Sequence, residues 1–185
     1  MLDRGYDCLV TQDCTDCEIE RVPGCDKAFR SYKFRGPGLR YEVGICILTG
    51  WIVWVNGPFP CGDWNDITVF RMGMKNVLEP NERVEADDGL VGEDPDTARV
   101  PGSVVHNHDD QMMRVRCTAR RRHETGNKRI KDWRIMAVQF THEMEFHGTC
   151  FRACATLTQL AIEFGKPLYQ LNYSEPPVPP RINNN

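Results

Sequence analysis

The sequence lacks a long apolar run. Even residues 43–55 are interrupted by Thr49 and Gly50, whereas a membrane span needs about 18 to 20 apolar residues in succession. The opening MLDRGYDCLV has no basic segment followed by an apolar one, so no secretory signal is indicated. No internal repeat is visible. We therefore expect a chain that does not cross a membrane and that works in a reducing compartment.

An even set of cysteines, the mark of a disulfide framework, is also lacking. The nine cysteines are an odd number, which in a reducing compartment indicates free thiols or metal ligands. The length of 185 residues and the hydrophobic fraction of 41% are those of an ordinary globular domain. We predict one domain over residues 1–173 and a proline-rich, disordered tail over 174–185.

Charge is distributed unevenly along the chain. Residues 82–97 hold seven acidic residues and one arginine, whereas residues 114–134 hold nine lysines and arginines and two acidic residues. An acidic pocket beside a basic helix would suit a cation together with a polyanion. Two solvated surfaces of opposite charge are the alternative explanation.

The apolar patterns predict a layered α/β domain. We expect strands at 7–13, 41–48, 51–56 and 82–87, the second and third forming a hairpin around Thr49-Gly50. Helices are expected over about 12 residues from Asp66, at 118–133 and at 149–164, with a long loop at 89–111. This order predicts a three-layer fold with a mixed sheet flanked by helices, of which the RNase H-like pattern is one instance.

Four acidic residues occupy positions suited to metal chemistry. Asp13 is expected at a strand end, Asp66 at a helix start and Asp87 at the end of the next strand, while Glu124 lies within the basic helix. Carboxylates held in this way can bind two hard cations that promote phosphodiester chemistry. The alternatives are a turn residue for Asp13 and a helix cap for Asp66. Asp87 and Asp88 repel each other unless they are solvated or bound to a cation.

The basic helix places one acid among several cations. The residues Arg120, Glu124, Lys128 and Lys131 follow a spacing that puts them near one helical face. Glu124 could complete a metal site while its neighbours hold DNA phosphates. A ladder of solvent-exposed ion pairs is the alternative.

Three segments together resemble a known family. They are SYKFRGPGLRYEVGICILTGWIVWVNGPFPCGDWNDITVF, VEADDGLVGEDP and RRRHETGNKRIKDW, and the resemblance covers about residues 6–173. The motifs are Asp-x-Thr on a strand, a loop ending in Asp before a helix, Asp-x-Gly after a strand, and Arg-x3-Glu-x6-Lys. The later HEMEFHGTCFRACATLTQLAIEFGKPLYQLNY fits the same group. The chain thus resembles the catalytic domain of Harbinger-type DDE transposases, the DDE superfamily endonucleases.

The resemblance implies a fold, a reaction and a set of site residues. It implies an RNase H-like fold, Mg²⁺ or Mn²⁺ as cofactor, and nicking of DNA followed by attack of a 3′-hydroxyl on target DNA, in the nucleus. Asp13, Asp87 and Glu124 would be the catalytic metal ligands, and Asp66 matches a further recurrent Asp that we expect beside the metal. Arg120, Lys128 and Lys131 would contact the DNA backbone.

Departures from the family pattern leave a second function open. Cys14, Leu90 and Cys117 stand where the family has glycine, tyrosine and tyrosine, and the glycine permits a tight turn beside the metal. The family's helix-turn-helix region is not found in the 12 residues before Asp13. We therefore expect a separate DNA-recognition protein or a partial copy, and a homo-oligomer is open. The alternative function is a non-catalytic remnant that binds DNA or protein.

A zinc-stabilised binding module is the third hypothesis. Its ligands would be Cys14 and Cys17, or His142, His147, Cys150 and Cys154, although neither set makes a paired finger pattern. The segment HEMEFH is not the metalloprotease motif, because its two histidines are five residues apart instead of four.

Overall fold

The computed structural model describes residues 8–20, 24, 27–80, 82–101 and 110–171, with the backbone alone at 110–113. Its strands are β1 (Cys8–Glu18), β2 (Gly38–Cys46), β3 (Ile52–Pro60), β4 (Arg83–Ala86) and β5 (Ala98–Arg99). Its α-helices are α1 (Asp66–Met72), α2 (Asp110–Lys131), α3 (Arg134–Ala137) and α4 (Met144–Phe164), and 3-10 helices span Met74–Val77 and Asp88–Leu90. The tail at 174–185 lies outside the described residues.

The five strands form one mixed sheet in the order β3-β2-β1-β4-β5. The central strand β1 pairs antiparallel with β2 and parallel with β4. In the parallel pair Gln12 lies opposite Ala86. The residues that follow them, Asp13 and Asp87, therefore lie at the same level of the sheet. The prediction of an α/β fold with a mixed sheet is confirmed.

Two hydrophobic clusters show that helices cover both faces of the sheet. One cluster joins Cys17 of β1 and Tyr41 of β2 to Phe151 of α4. The other joins Val10 of β1 and Val84 of β4 to Phe70 of α1. Odd and even residues of a strand point to opposite faces, which is why Cys17 and Val10 belong to different clusters. α4 and α1 therefore lie on opposite sides of the sheet.

The long helix α2 packs on the sheet through polar contacts. Arg120 Nη1 lies 2.8 Å from Glu85 Oε1 of β4, and His123 Nδ1 lies 2.8 Å from Thr11 Oγ1 of β1. Gly126 adds a close approach, because a Cβ at this position would collide with the side chain of Ile45. These contacts fix which face of α2 meets the sheet.

Several predicted boundaries are wrong. Asp13 does not end its strand: β1 continues to Glu18, because Thr15 and Cys17 are buried against the helices and β2 supplies a partner for each residue. α2 begins eight residues before the predicted 118, and α4 begins five residues before the predicted 149.

The predicted end of the third strand and the predicted long loop are also wrong. β3 extends to Pro60, because a proline without an N–H is tolerated on an edge strand. The segment predicted as one long loop at 89–111 contains the end of a 3-10 helix, the short strand β5 and the first residues of α2.

Candidate metal centre

Asp13 brings the first carboxylate of the site from the centre of the sheet. It lies in the middle of β1, opposite Val43 of β2, and its side chain is partly buried on the face that α2 covers. Asn127 of α2 donates a hydrogen bond from Nδ2 to Asp13 Oδ2 over 2.9 Å. Asp13 is therefore held between a rigid strand and a long helix.

Asp66 brings the second carboxylate from the start of α1. The cap of this helix is Asn65, whose Oδ1 accepts a hydrogen bond of 2.9 Å from the Thr68 N–H. Because Asn65 takes the capping role, the alternative that Asp66 is the cap is wrong. The Asp66 carboxylate instead lies 2.6 Å from Arg40 Nη1 of β2.

Asp87 brings the third carboxylate, directly after β4. Its Oδ1 accepts a hydrogen bond of 2.9 Å from the N–H of Gly89, which starts the chain into a 3-10 turn. A Cβ at Gly89 would lie 2.7 Å from Asp66 Oδ2 and 2.9 Å from Asp87 Oδ1. A larger residue here would therefore force one of the two carboxylates to move.

Asp13, Asp66 and Asp87 each place one carboxylate oxygen within 4.8 Å of the other two. In an octahedral Mg²⁺ site with ligands at about 2.1 Å, ligand oxygens are about 3 to 4 Å apart. Small rotations of these side chains would bring three oxygens onto one ion. The set holds only carboxylates, which hard cations such as Mg²⁺ and Mn²⁺ prefer. The cluster can therefore hold a metal ion.

Two cations lie beside the three carboxylates, the buried Arg40 and the exposed Lys33. Arg40 binds Asp16 through Nε at 2.8 Å and Nη2 at 3.0 Å, and the same guanidinium reaches Asp66. Lys33 donates from Nζ to the carbonyl oxygen of Cys14 over 2.7 Å. Arg40 thus fixes Asp66 on the α1 side of the sheet, and Lys33 places positive charge near Asp13.

The electrostatics of the cluster favour the uptake of a cation. Burial raises the pKa of Asp13 to about 7, Lys33 acts in the opposite direction, and the neighbouring Asp87 and Asp66 raise it further. Burial also raises the pKa of Asp66, against the effect of Arg40 and Lys33. A divalent cation between these groups would remove their mutual repulsion and displace the proton from Asp13.

Glu124 lies in a cleft on the α2 side of Asp13. The cleft has a volume of about 270 Å³ and is lined by Asp13, Cys14, Thr15, Lys33, Glu124, Asn127, Lys128, Lys131 and Asp132. The Glu124 side chain is exposed, and the group of three carboxylates does not include it. The structure thus brings together Asp13, Asp66 and Asp87, whereas Glu124, which was predicted to be a metal ligand with them, lies outside this group in the adjoining cleft.

The predicted phosphate contacts separate into two groups. Lys128 and Lys131 line the cleft, whereas Arg120 is bound to Glu85, which is itself buried. Arg120 is thus paired with the sheet and is not among the residues that line the cleft with Glu124 and Lys128. The reason is that Glu85 of β4 offers a buried carboxylate directly beneath α2.

Asn127 and Lys33 were not identified from the sequence. Asn127 is almost fully buried, and its Oδ1 has no hydrogen-bond partner among the described residues. Its position three residues after Glu124 on a helix was a usable signal, because such residues are neighbours on one face. Lys33 comes from a segment of turns, so nothing in its local sequence indicates that it reaches β1.

Cys14 does not disturb the backbone beside Asp13. It is paired with Glu42 of β2 in a regular strand, and Arg35 is the one non-glycine residue with positive φ in the part of the chain that the structure describes. The tight turn expected at this position is absent. The Cys14 thiol is buried, and its Sγ accepts a hydrogen bond of 3.8 Å from Gln12 Nε2.

The structure does not support the zinc hypothesis. Cys14 and Cys17 are three positions apart on one strand, so their side chains point to opposite faces of the sheet. His147 is buried, and its Nδ1 lies 2.7 Å from the hydroxyl of Tyr41. Among the residues described, the three aspartates form the one group of acidic, histidine or cysteine side chains arranged to share a metal.

Comparison with known proteins assigns the chain to no family. No family model, no curated protein and no solved structure matches the chain. None of the helices in the described parts of the chain has the length and apolar content that would let it cross a bilayer.

Proposed function

We propose that this chain is the metal-dependent nuclease and strand-transfer domain of a Harbinger-type transposase, with an RNase H-like fold and Mg²⁺ or Mn²⁺ as cofactor. The observation that carries the proposal is the convergence of Asp13, Asp66 and Asp87 within 4.8 Å. These residues are far apart in the sequence and come from a strand, a helix start and a strand end. The sheet order and the parallel pairing of β1 with β4 are compatible with the proposed fold.

In this proposal each residue of the site has a defined task. Asp13, Asp66 and Asp87 hold the metal, and Glu124 approaches from the cleft as the further catalytic acid. Divalent metal in such a site supplies activation of the attacking water or hydroxyl and stabilisation of the leaving oxygen. Arg40 keeps the Asp66 carboxylate in place, and Asn127 does the same for Asp13.

The lysines of the cleft indicate how DNA would be held. Lys33, Lys128 and Lys131 line the same cleft as Asp13 and Glu124. A phosphodiester placed there would meet positive charge on its non-bridging oxygens while its phosphorus lies near the carboxylate site. Such contacts recognise the backbone and not the base sequence, so we expect binding that weakens steeply with salt. A nuclear location follows from the family resemblance.

The test is nicking of a supercoiled plasmid in the presence of Mg²⁺ or Mn²⁺. We expect nicking by the wild-type chain and its loss in Asp87→Ala and in Glu124→Ala. The matched control is Asp88→Ala, which removes an exposed neighbouring carboxylate that is not part of the cluster. Nicking retained in Asp87→Ala would overturn the proposal.

A non-catalytic remnant that binds DNA is the second candidate. Asp13 with a pKa of about 7 and an ion-paired Arg120 are compatible with a site that no longer turns over. This candidate predicts that the wild-type chain shifts DNA in a salt-dependent manner without nicking it. It also predicts that Lys128→Ala and Lys131→Ala weaken the shift, whereas Asp87→Ala does not.

A further inference from the structure

A second groove, with a volume of about 410 Å³, lies between the end of α2 and the end of α4. We call it the tryptophan groove. The residues that give it its character are Arg129 of α2, Asp132 and Trp133 directly after α2, Arg134 of α3, Thr158 of α4 and Lys166 after α4. None of these residues belongs to the carboxylate cluster.

Trp133 is exposed to solvent and yet held in one orientation. Its exposed fraction is 41%, and its indole Nε1 donates a hydrogen bond of 3.0 Å to Oγ1 of Thr158, which is buried in α4. An aromatic ring fixed in this way loses little conformational entropy when a ligand stacks on it. Nucleic-acid bases stack on such side chains without regard to sequence, because every base has a π face.

The tryptophan is surrounded by positive charge. Arg129 donates hydrogen bonds to the carbonyl oxygens of Lys166 and Pro167, which hold its guanidinium at the end of α4. Arg134 and Lys166 are exposed, and neither has an acidic partner within the part of the chain that the structure describes. Three cations therefore line the groove, a composition that suits phosphate groups.

The acidic residue of the groove does not cancel this charge. Asp132 Oδ2 lies 3.5 Å from Nζ of Lys128, a lysine of the adjoining cleft, so its negative charge already has a partner. The ligand that complements the groove thus combines a flat aromatic group with negative charge.

The position of the groove favours a nucleic acid over an acidic peptide. Asp132 lines both the tryptophan groove and the cleft that contains Asp13 and Glu124, so the two depressions adjoin. A DNA strand whose phosphate lies in the cleft therefore has neighbouring nucleotides near Trp133. A base inside a duplex is covered by its stacked neighbours, so only an unpaired base can stack on a side chain.

We propose that the tryptophan groove binds an unpaired nucleotide of the DNA strand that occupies the cleft. The base stacks on Trp133, and the adjacent phosphates lie near Arg134 and Lys166. This assignment rests on the proposed function, which places DNA in the cleft. Nicking leaves a strand end that must be held until its hydroxyl attacks the target, and the groove would hold the nucleotides beside that end.

Fluorescence anisotropy with a fluorescein-labelled oligothymidine of about 12 nucleotides tests the proposal in EDTA and low salt. We expect the wild-type chain to bind this probe and Trp133→Ala to weaken binding by about 5- to 150-fold, the range for loss of one stacked base. Trp133→Phe keeps an aromatic face and should retain most of the affinity. The control is Trp51→Ala, which removes a tryptophan that is 43% exposed but does not line the groove.

A duplex of the same length separates stacking from charge attraction. Because its bases are covered, Trp133→Ala should change duplex binding by less than about twofold. Arg134→Glu does not depend on how well a chain without Trp133 folds, and it should weaken oligothymidine binding more than Arg121→Glu does. Arg121 is an exposed arginine of α2 that lines neither the groove nor the cleft, so the two variants carry the same net charge.

Four results would overturn the proposal. They are a wild-type chain that does not bind oligothymidine, a Trp133→Ala chain that binds it as well as wild type, equal losses with the single-stranded and duplex probes, and displacement of the probe by poly-glutamate at equal charge. The last result would identify an acidic peptide as the occupant. Because EDTA removes divalent metal, Asp87→Ala should bind the probe at least as well as wild type. The groove and the nuclease assignment can therefore fail separately.

Discussion

Asn127 donates a hydrogen bond to Asp13 over 2.9 Å and thereby joins helix α2 to the central strand at the site. Both residues line the cleft that also contains Glu124. A carboxylate that binds metal is oriented by such a partner, and loss of the partner typically lowers metal affinity by about 10- to 100-fold. The position of α2 should therefore influence how tightly a site that includes Asp13 binds metal.

We expect Asn127→Ala to weaken Mn²⁺ binding by about tenfold or more while the fold is kept. The reason is that Asp13 loses the donor that orients it. Isothermal titration with MnCl₂ measures the affinity, and circular dichroism checks the helix content. Thr125→Ala is the matched control, because the Thr125 hydroxyl donates to the Arg121 carbonyl within α2 and not to Asp13. Equal affinities in both variants would show that Asn127 does not orient Asp13.

The raised pKa of Asp13, about 7, predicts how stability depends on pH in the presence of a chelator. Because the folded-state pKa exceeds the unfolded value of about 3.8, the folded form loses stability as the pH rises from 4 through 7. Asp13→Asn should therefore raise the melting temperature by a few degrees more at pH 8 than at pH 5. Differential scanning fluorimetry in EDTA measures this difference.

Saturating Mg²⁺ should reverse the ranking at pH 8, because the wild-type chain gains binding free energy that the Asp13→Asn variant cannot gain in full. If the variant gained the same number of degrees at both pH values in EDTA, the titration of Asp13 would not lie in this range.

Gly89→Ala should weaken Mn²⁺ binding without unfolding the chain. A methyl group at this position meets the carboxylates of Asp66 and Asp87 at distances that force one of them to move. Gly165→Ala is the control, since a Cβ at Gly165 meets no neighbour within 4 Å. The measurement is the Mn²⁺-induced rise in melting temperature. A Gly89→Ala chain that keeps the full rise would mean that Asp66 and Asp87 do not hold the metal together.

His123 predicts a loss of stability in acid that is separate from the metal site. Burial lowers the pKa of His123 to about 3, so the folded protein keeps it neutral while the unfolded chain takes up a proton below pH 6.5. Stability is therefore lost as the pH falls from 6.5 towards 3. His123→Asn keeps a polar partner for Thr11. It should lower the slope of the unfolding free energy against pH by the contribution of one proton, which is about 1.4 kcal/mol per pH unit.

Urea unfolding at pH 4.5, 5.5 and 6.5 measures the slope for wild type and His123→Asn. An unaltered slope in His123→Asn would mean that this histidine already titrates in the folded protein.

The sequence was sufficient for the parts of the fold that depend on local patterns. The hairpin of β2 and β3 around Thr49-Gly50, and the end of α4 at Phe164, follow from alternation, turn residues and helical spacing. The two aspartates next to element boundaries, Asp66 and Asp87, were also placed correctly. These features are determined within a few residues of chain.

The remaining errors concern side chains whose partners are distant in sequence. The ion pair of Arg120 could not be predicted, because its own helix gives no sign of Glu85, and Glu85 is buried in a strand 35 positions earlier. Similarly, β1 was expected to end at Asp13 because a polar segment, residues 13–20, follows, although Asp16 in that segment pairs with Arg40 of the neighbouring strand. The polarity of neighbouring residues therefore does not predict burial where an ion pair joins two elements that are distant in sequence.

The parallel pairing of β1 with β4 also determines when the site can exist during folding. The chain must close a loop of about 70 residues, which contains β2, β3 and α1, before Asp87 reaches the level of Asp13. Contacts of such long sequence separation form slowly. A nascent or partly folded chain would thus carry no assembled carboxylate cluster, and any nuclease activity would begin only with the completed sheet.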